Sequence, residues 1–364
     1  MKLTNKTEAT HITSEYSDIF VVNAARVSFS KESSFDENGN IRESDQKLIN
    51  YLASHHHWTT FSHIRDTFLF NDIDIDWLLT SLVPDNYAGM VINKVMYGDK
   101  HYWAIRHSLY GWIKLLALNL TDYIFQNEQA AFIYKKLLEL YPSSMTAFSK
   151  TYDFLKYANT DITNTDTHHV KSMLEKNENN DYVYKLFNTN MIKHFVDITI
   201  REYVPIFVAR QRFKHMVAFT FNESSRRYVD FEPEYFSPDI LRGRAKNKKQ
   251  GSTDTYCENH NLAYELYLNS IESANDTYLK LVNDNGEFRT CPEQARGILP
   301  QAMMTDYYAT GSYAAWKRLE YLRIDEHSQL EIQDHAKKIN EITKLYDESI
   351  NDYVQYCTIS ISFE

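Results

Sequence analysis

The segment "HFVDITIREYVPIFVARQRFKHMVAFTFNESSRRY", residues 194–228, runs through a strand pattern, a proline, a helix pattern and a polar loop without interruption. "HFVDITIREYV" alternates apolar and polar side chains, as a half-buried strand does. Pro205 follows where a missing N–H costs least, at the first turn of a helix, and "PIFVARQRFKH" is that helix. On it, Gln211 stands three and four residues before Lys214 and His215, so an amide, an ammonium and an imidazole share one face. Such a face is either a solvated basic stripe or a seat for an anion. "NESSRRY" then offers a carboxylate, two hydroxyls and two guanidiniums, and the planar fork of arginine suits phosphate.

Outward from this segment, both ends of the chain read as α+β. "SDQKLINYLASHHHW" is a helix with Leu48, Ile49 and Leu52 on one side, and "HIRDTFLF" from His63 is a strand. Toward the C-terminus, "NHNLAYELYLNSIESANDTYLKLV" is a long amphipathic helix and "SYAAWKRLEYL" a shorter one. "SQLEIQDHAKKINEITKLYDESINDYVQY" is a second long helix, opened by a capping box from Ser328 to Glu331. Between residues 72 and 194 the period is mostly helical, as in "HYWAIRHSLYGWIKLLALNL" and "NEQAAFIYKKLLELY", so this middle is expected to be an all-α insertion. It is too long for an ordinary loop and should form a layer of its own. No repeat of fixed period is evident.

Composition narrows the function. A hydrophobic share of 43% with 24% charged residues describes a folded globular chain. A net charge of −10 argues against wholesale binding to a polyanion, while leaving room for one compact anionic ligand. There is no apolar h-region at the N-terminus and no apolar run long enough to cross a bilayer, so a cytoplasmic location is expected. With nine glycines the chain has neither GxGxxG nor GxxxxGK[ST], so a bound phosphate must be held by side chains and helix N-termini. Cys257, Cys291 and Cys357 show no zinc or redox spacing and read as structural residues. The "SHHHW" run with His63 lacks the carboxylate or cysteine that would complete a metal site. "RGRAKNKKQ" at 242–250 reads as a solvated loop.

The sequence resembles the flavin-dependent thymidylate synthases. "IFVARQRFKH" and "NESSRRY" are similar to that family's signature, and three further blocks occur in the family's order: "AARVSF" at 24–29, "LINYLASHHHWTTFSH" at 48–63, and "CPEQARGILPQAMMTDYYATGSYAAWKRLEYLRIDEHSQLEI" at 291–332. The resemblance covers residues of about 1–70 and 195–360. It implies a discontinuous domain, 1–71 with 195–364, holding a mixed or antiparallel sheet and long helices, interrupted by the 72–194 insertion. Two departures stand inside the signature. Its Arg-His-Arg is Lys214-His215-Met216 here, and the gap to the motif serine, Ser225, is one residue longer, which a bulge or loop would absorb.

Carried over residue by residue, the resemblance implies a deoxyuridylate site made by Gln211, Arg212, Phe213, Lys214, Glu223, Ser224, Ser225, Arg226, Arg227, Arg296 and Arg323. Arg227 and Arg296 would take the phosphate, and Arg323 would face the uracil and act in catalysis. The implied FAD contacts are His57, Thr59, Lys214, His215, Met216, Glu223, the run Ser312, Tyr313 and Ala314, and Arg318, with His63 near the same cofactor. His327 would share the Arg323 pocket or cap the next helix. The implied reaction is reductive methylation of dUMP with 5,10-methylenetetrahydrofolate, FAD and NADPH, in a homotetramer without metal, nucleic acid or membrane partners. One other enzyme reading remains, an FAD-dependent methyl- or hydroxymethyltransferase acting on another pyrimidine nucleotide such as dCMP. From a different class, the chain could be a flavin-binding relative without catalysis, or Arg226, Arg227 and the 242–249 run could bind nucleic acid.

Overall fold

The computed structural model describes residues 1–12, 16–73, 75–76, 78, 89–122, 124–229, 231–245 and 252–361. Two antiparallel sheets organise the chain. The first has four strands, in the spatial order Glu8–His11, Asp197–Pro205, Met304–Ser312 and Phe219–Glu223. All nine residues of Met304–Ser312 are buried, because this strand is hydrogen-bonded on both edges and covered on both faces. Its polar members survive burial through partners: Asp306 accepts from Arg201 Nε at 2.9 Å, and Thr310 Oγ1 lies 2.7 Å from Thr199 Oγ1. Gly311 is required by packing, since a Cβ there would stand 2.4 Å from the Phe219 ring.

The second sheet has five strands, ordered Thr167–Val170, Arg65–Phe70, Lys100–Ser108, Val91–Tyr97 and Tyr184–Leu186. Four of these lie within 72–194, so the middle of the chain is α+β and the all-α expectation is corrected. Helices Leu109–Asp122 and Asn127–Leu140 follow the helical period as read, and a third, Pro142–Phe148, comes after them. "HYWAIRHS", however, is strand. Its large residues have a spacing compatible with a helix, but the hairpin turn at Gly98, φ +62°, and pairing along both edges commit it to the sheet. The Arg65–Phe70 strand, second in this sheet, lies ahead of residue 72.

Two apolar cores flank the second sheet. Phe61, Phe68, Trp112, Leu116 and Phe148 pack in one, and the other joins Leu69, Val95 and Ala104 of that sheet to Val204, Tyr307, Trp316, Ile339 and Tyr353. The helix Asp18–Arg26 buries Ile19, Phe20, Val21 and Val22, and its Asp18 accepts from the Ser143 and Ser144 backbone N–H groups at 2.7 and 2.9 Å. A buried carboxylate thus caps the Pro142–Phe148 helix from across the fold. A buried ionic cluster also sits between the sheets. Asp197, at the start of its strand, accepts from Arg65 Nη1 at 2.9 Å and from Arg106 Nε at 2.6 Å, with Arg106 Nη2 also on it.

Three helix boundaries differ from the sequence reading. Ile206–Arg212 stops before Lys214 and His215, so the shared basic face with Gln211 does not form. The C-terminal helix is two, Leu330–Thr343 and Asp347–Ile361, joined by a 3-10 turn. Gln329 occupies the N-cap position in place of Ser328, whose hydroxyl instead donates to the Leu322 carbonyl at 3.1 Å. No helix among the described residues is long and apolar enough to cross a membrane.

Candidate functional site

The residues singled out in the sequence fall into three clusters and a buried support. The first cluster is built at the end of helix Tyr313–Arg323. Arg323 donates from Nε to His215 Nε2 at 2.8 Å and from Nη2 to the Gln211 carbonyl at 3.4 Å. His215 is buried, and desolvation together with Arg323, Arg212 and Arg318 pushes its pKa down to about 4. At neutral pH its Nε2 therefore carries a lone pair and accepts the guanidinium N–H. Burial also lowers the Arg323 pKa from its ordinary value, which still leaves the group charged. Gln211 is held from the other side by Gln329, at 2.5 Å.

The second cluster is the loop after strand Phe219–Glu223. Ser224 N donates to the Asp306 carbonyl at 2.7 Å and Ser225 N to the Ser28 carbonyl at 3.1 Å. Ser28 Oγ in turn donates to the Glu223 carbonyl at 2.9 Å, and Phe29 stacks on Tyr228 with ring centroids 5.0 Å apart. The "AARVSF" block thus holds the "NESSRRY" loop in shape. Desolvation raises the Glu223 carboxyl above its usual range, against a 2.6 Å hydrogen bond from Thr305 Oγ1 and the field of Arg296. Arg227 is exposed and pairs with Glu293 at 2.7 Å, and Arg296 is exposed on the next turn. Arg226 is not available in the same way: it is buried over the Phe231 ring and donates to the Phe231 carbonyl.

Arg212 and Phe213 belong to the core. Arg212 Nε donates to both Glu202 oxygens at 3.1 and 3.2 Å, and its guanidinium lies over the Phe219, Phe221 and Trp316 rings. Glu202 also accepts from Tyr307 Oη at 3.0 Å and faces His335 Nε2 at 2.8 Å. Desolvation would raise this carboxyl, but Arg212, His335 and Tyr307 hold it below its ordinary value. This buried network was not legible in the sequence, because Glu202, Tyr307 and His335 meet only through strand pairing and helix packing. It anchors the strand that leads into the signature helix.

The third cluster lines a cavity of about 420 Å³ between the two sheets. Thr59 and Met216 reach it, together with Trp58, Arg65, Tyr110 and Lys114. Trp58 and Tyr110 stack with centroids 4.6 Å apart and planes 14° from parallel. No carboxylate lines this cavity among the described residues. Lys214 is exposed and outside it, and Met216, 68% exposed, stands at its edge. The longer signature gap is taken up in a turn: Ala218 has φ +64°, while the register of Phe219–Glu223 against Tyr307–Gly311 runs without a bulge.

Several expectations fall elsewhere. Ser312 is buried and caps its helix, accepting from Ala315 N at 3.3 Å, and Tyr313 is buried with its hydroxyl on Asp347 at 2.8 Å. Ala314 is half-buried and Arg318 exposed, and neither reaches the cavity. His57 is exposed, whereas His63 is fully buried between Thr310 Oγ1 at 2.6 Å and Asn222 Oδ1 at 3.3 Å. Its desolvation lowers the pKa to about 3, so it is a neutral core residue. His327 is exposed, with its backbone N–H on Asp325, and takes no part in the Arg323 cluster. Cys357 is buried, Cys257 half-buried and Cys291 exposed, so a structural role for all three does not hold at Cys291. No metal-binding group occurs among the described residues. In the 242–250 run, Arg242 pairs with Glu331 at 2.7 Å, and 246–250 lie outside the described residues.

Known proteins bear on these clusters. The chain is similar to the flavin-dependent thymidylate synthase of Aquifex aeolicus, 27% identical over 349 residues, covering 90% of this chain and 94% of the relative. It is also similar to that of Thermosipho melanesiensis, 37% identical over 153 residues, but this match spans only 42% of this chain and 64% of the relative's length. Among solved structures, the UMP/dUMP methylase PolB from Streptomyces cacaoi bound with 5-Br UMP covers 98% of the chain and 96% of its own, at 15% identity and a TM-score of 0.41. That likeness is too loose to place any residue. The family model described as thymidylate synthase complementing protein matches residues 12–79 and 143–346, which include every motif block described above. The chain therefore belongs to the thymidylate synthase complementing protein family.

Proposed function

We propose that the chain carries out reductive methylation of dUMP to dTMP with 5,10-methylenetetrahydrofolate, FAD and NADPH, as a homotetramer in the cytoplasm. The observation that supports this most is the contact of Arg323 with His215, which joins the two separate blocks that carry the family signature. In the proposed reaction C5 of the pyrimidine bonds to the folate's methylene carbon and gives up its proton, that carbon's bonds to the folate nitrogens break to release tetrahydrofolate, and a hydride completes the methyl group. When bound, the flavin would supply that hydride, renewed by NADPH.

The chain's own residues bind and orient. Arg227 and Arg296 are the cations for the nucleotide phosphate, with Arg227 exchanging its exposed partner Glu293 for the ligand. Ser224 and Ser225 donate from a loop already fixed by Asp306 and Ser28, so little order is lost on binding. Arg323 faces the uracil, where a fixed cation favours negative charge developing at N3 and its neighbouring carbonyl. His215 is a positioning residue: by accepting at Nε2 it orients the guanidinium. The cavity that holds Thr59 and Met216 fits a flavin by its chemistry, two cations and, among its described lining residues, no carboxylate, beside a stacked aromatic pair.

The test is an anaerobic assay of the purified chain with FAD, NADPH, methylenetetrahydrofolate and either dUMP or dCMP, with products read by mass. We expect dTMP from dUMP, and a fall in kcat/KM of roughly a hundredfold or more for Arg323→Ala. Product from dCMP alone would move the proposal to another pyrimidine. Failure to bind FAD or to oxidise NADPH with dUMP would reject it.

A further inference from the structure

The two sheets repeat one unit. Arg65–Phe70 pairs antiparallel with Lys100–Ser108, placing Arg65 opposite Ser108; Asp197–Pro205 pairs antiparallel with Met304–Ser312, placing Asp197 opposite Ser312. A helix starts at the next residue in each case, Leu109 and Tyr313. Leu109 N donates to the Ile64 carbonyl at 2.9 Å, and Tyr313 N to the Val196 carbonyl at 2.8 Å. Ser108 Oγ accepts from Gly111 N at 3.1 Å, and Ser312 Oγ from Ala315 N at 3.3 Å. Trp112 Nε1 donates to the Asp66 carbonyl at 3.1 Å, and Trp316 Nε1 to the Ile198 carbonyl at 3.0 Å. Every pair sits at the same place in its unit. No fixed period betrays the repeat, because the first strand and the strand-helix piece are displaced by different lengths of chain.

The correspondence sets Ser108, Tyr110 and Lys114 against Ser312, Ala314 and Arg318. The set from the 65–114 unit, here the inner one, lines the 420 Å³ cavity that Thr59 and Met216 also line, and the set from the 197–318 unit, the outer one, does not. Lys114 is half-buried and forms no ion pair among the described residues, whereas Arg65, the other cation there, is already bound to Asp197. A half-buried ammonium in a cavity with no carboxylate among its described lining residues, beside the stacked Trp58 and Tyr110 rings, suits an anionic group carried on a planar heterocycle.

We propose that the inner copy of the unit completes a ligand site within one chain, with Lys114 as the cation for a phosphate of the bound cofactor. That the cofactor is FAD rests on the function proposed above; the cavity, the cation and the repeat do not. The inner unit is thus a working half of the site, and residues 100–122 serve binding as well as packing.

The experiment titrates full-length protein, wild type and variants, with FAD, FMN and riboflavin, following flavin fluorescence. Lys114→Ala should weaken FAD and FMN about tenfold and riboflavin little, since only the first two carry phosphate. Lys114→Arg should restore FAD binding to within about threefold, and Lys136→Ala, on another helix, should leave it unchanged. An unchanged urea midpoint for Lys114→Ala separates lost binding from lost folding. Wild-type FAD binding that Lys114→Ala leaves intact, or equal losses for riboflavin and FAD, would overturn the role of Lys114 while sparing the proposed function. No flavin binding by the wild type would overturn both.

Discussion

Asp197→Asn removes a buried negative charge between the sheets while keeping the side chain's shape. In the native fold its carboxylate is 7% exposed and faces Arg65 and Arg106, whose side chains are 5% and 2% exposed. Arg65 keeps other acceptors after the change, the Ala218 and Thr310 carbonyls at 3.3–3.4 Å and the Thr220 hydroxyl at 3.3 Å. The loss therefore falls mainly on Arg106. A buried charge left without its partner costs about 3–5 kcal/mol, and that is the expected drop in unfolding free energy near neutral pH. Urea titration followed by tryptophan fluorescence and circular dichroism measures it. The second step replaces the pair together: Asp197→Leu with Arg106→Met should recover much of the loss, because apolar groups of similar volume need no counter-charge.

The same pair predicts a pH dependence. Desolvation alone would raise the Asp197 pKa, but Arg106 and Arg65 overcome it and hold the folded-state value below the ordinary carboxylate range. A depressed pKa stabilises the fold above the unfolded value of about 3.9 and loses that contribution as pH falls through the folded value. The cost of Asp197→Asn should thus shrink in strong acid. A cost under about 1 kcal/mol at pH 7, or strict additivity of the Asp197 and Arg106 changes, would refute an ionic cluster that bears load.

Three further outcomes follow from particular contacts. His63, His107 and His215 have pKa values lowered by desolvation to about 3, 3 and 4, so the unfolded chain binds protons first. Stability should fall as pH drops below about 6.5, by up to about 1.4 kcal/mol per unit for each group, and His63→Gln should flatten that limb in a pH series of urea midpoints. Trp112→Phe and Trp316→Phe each remove an indole hydrogen bond to a strand carbonyl and shrink a fully buried ring, so each should cost about 1–3 kcal/mol. Unequal effects, with one near zero, would count against equivalent roles. Gly311→Ala drives a Cβ into the Phe219 ring and should cost about 1–3 kcal/mol in the same assay, whereas no loss would mean the ring yields freely.

Local chemistry alone was enough for the family's blocks, the 197–205 strand, the helix after Pro205 and the long 260–282 helix, because alternation, period and proline act over a few residues. The candidate role of Arg323 was likewise readable, since a signature states which residue types stand together. What the chain order conceals is which neighbours each residue meets. "HYWAIRHS" became strand because two partners pair along it, and Lys214 and His215 left the helix because His215 is drawn into the core against Arg323. Arg212 is expected at the nucleotide from the resemblance, yet Glu202 and three aromatic rings bury it. Lys114 lies in a stretch that looks like packing alone, and only the pairing of distant strands sets it in a cavity beside Thr59 and Met216. Sequence determines propensity through contacts a few residues long, whereas desolvation and charge pairing depend on what packs against a group, and that exists only in the folded chain.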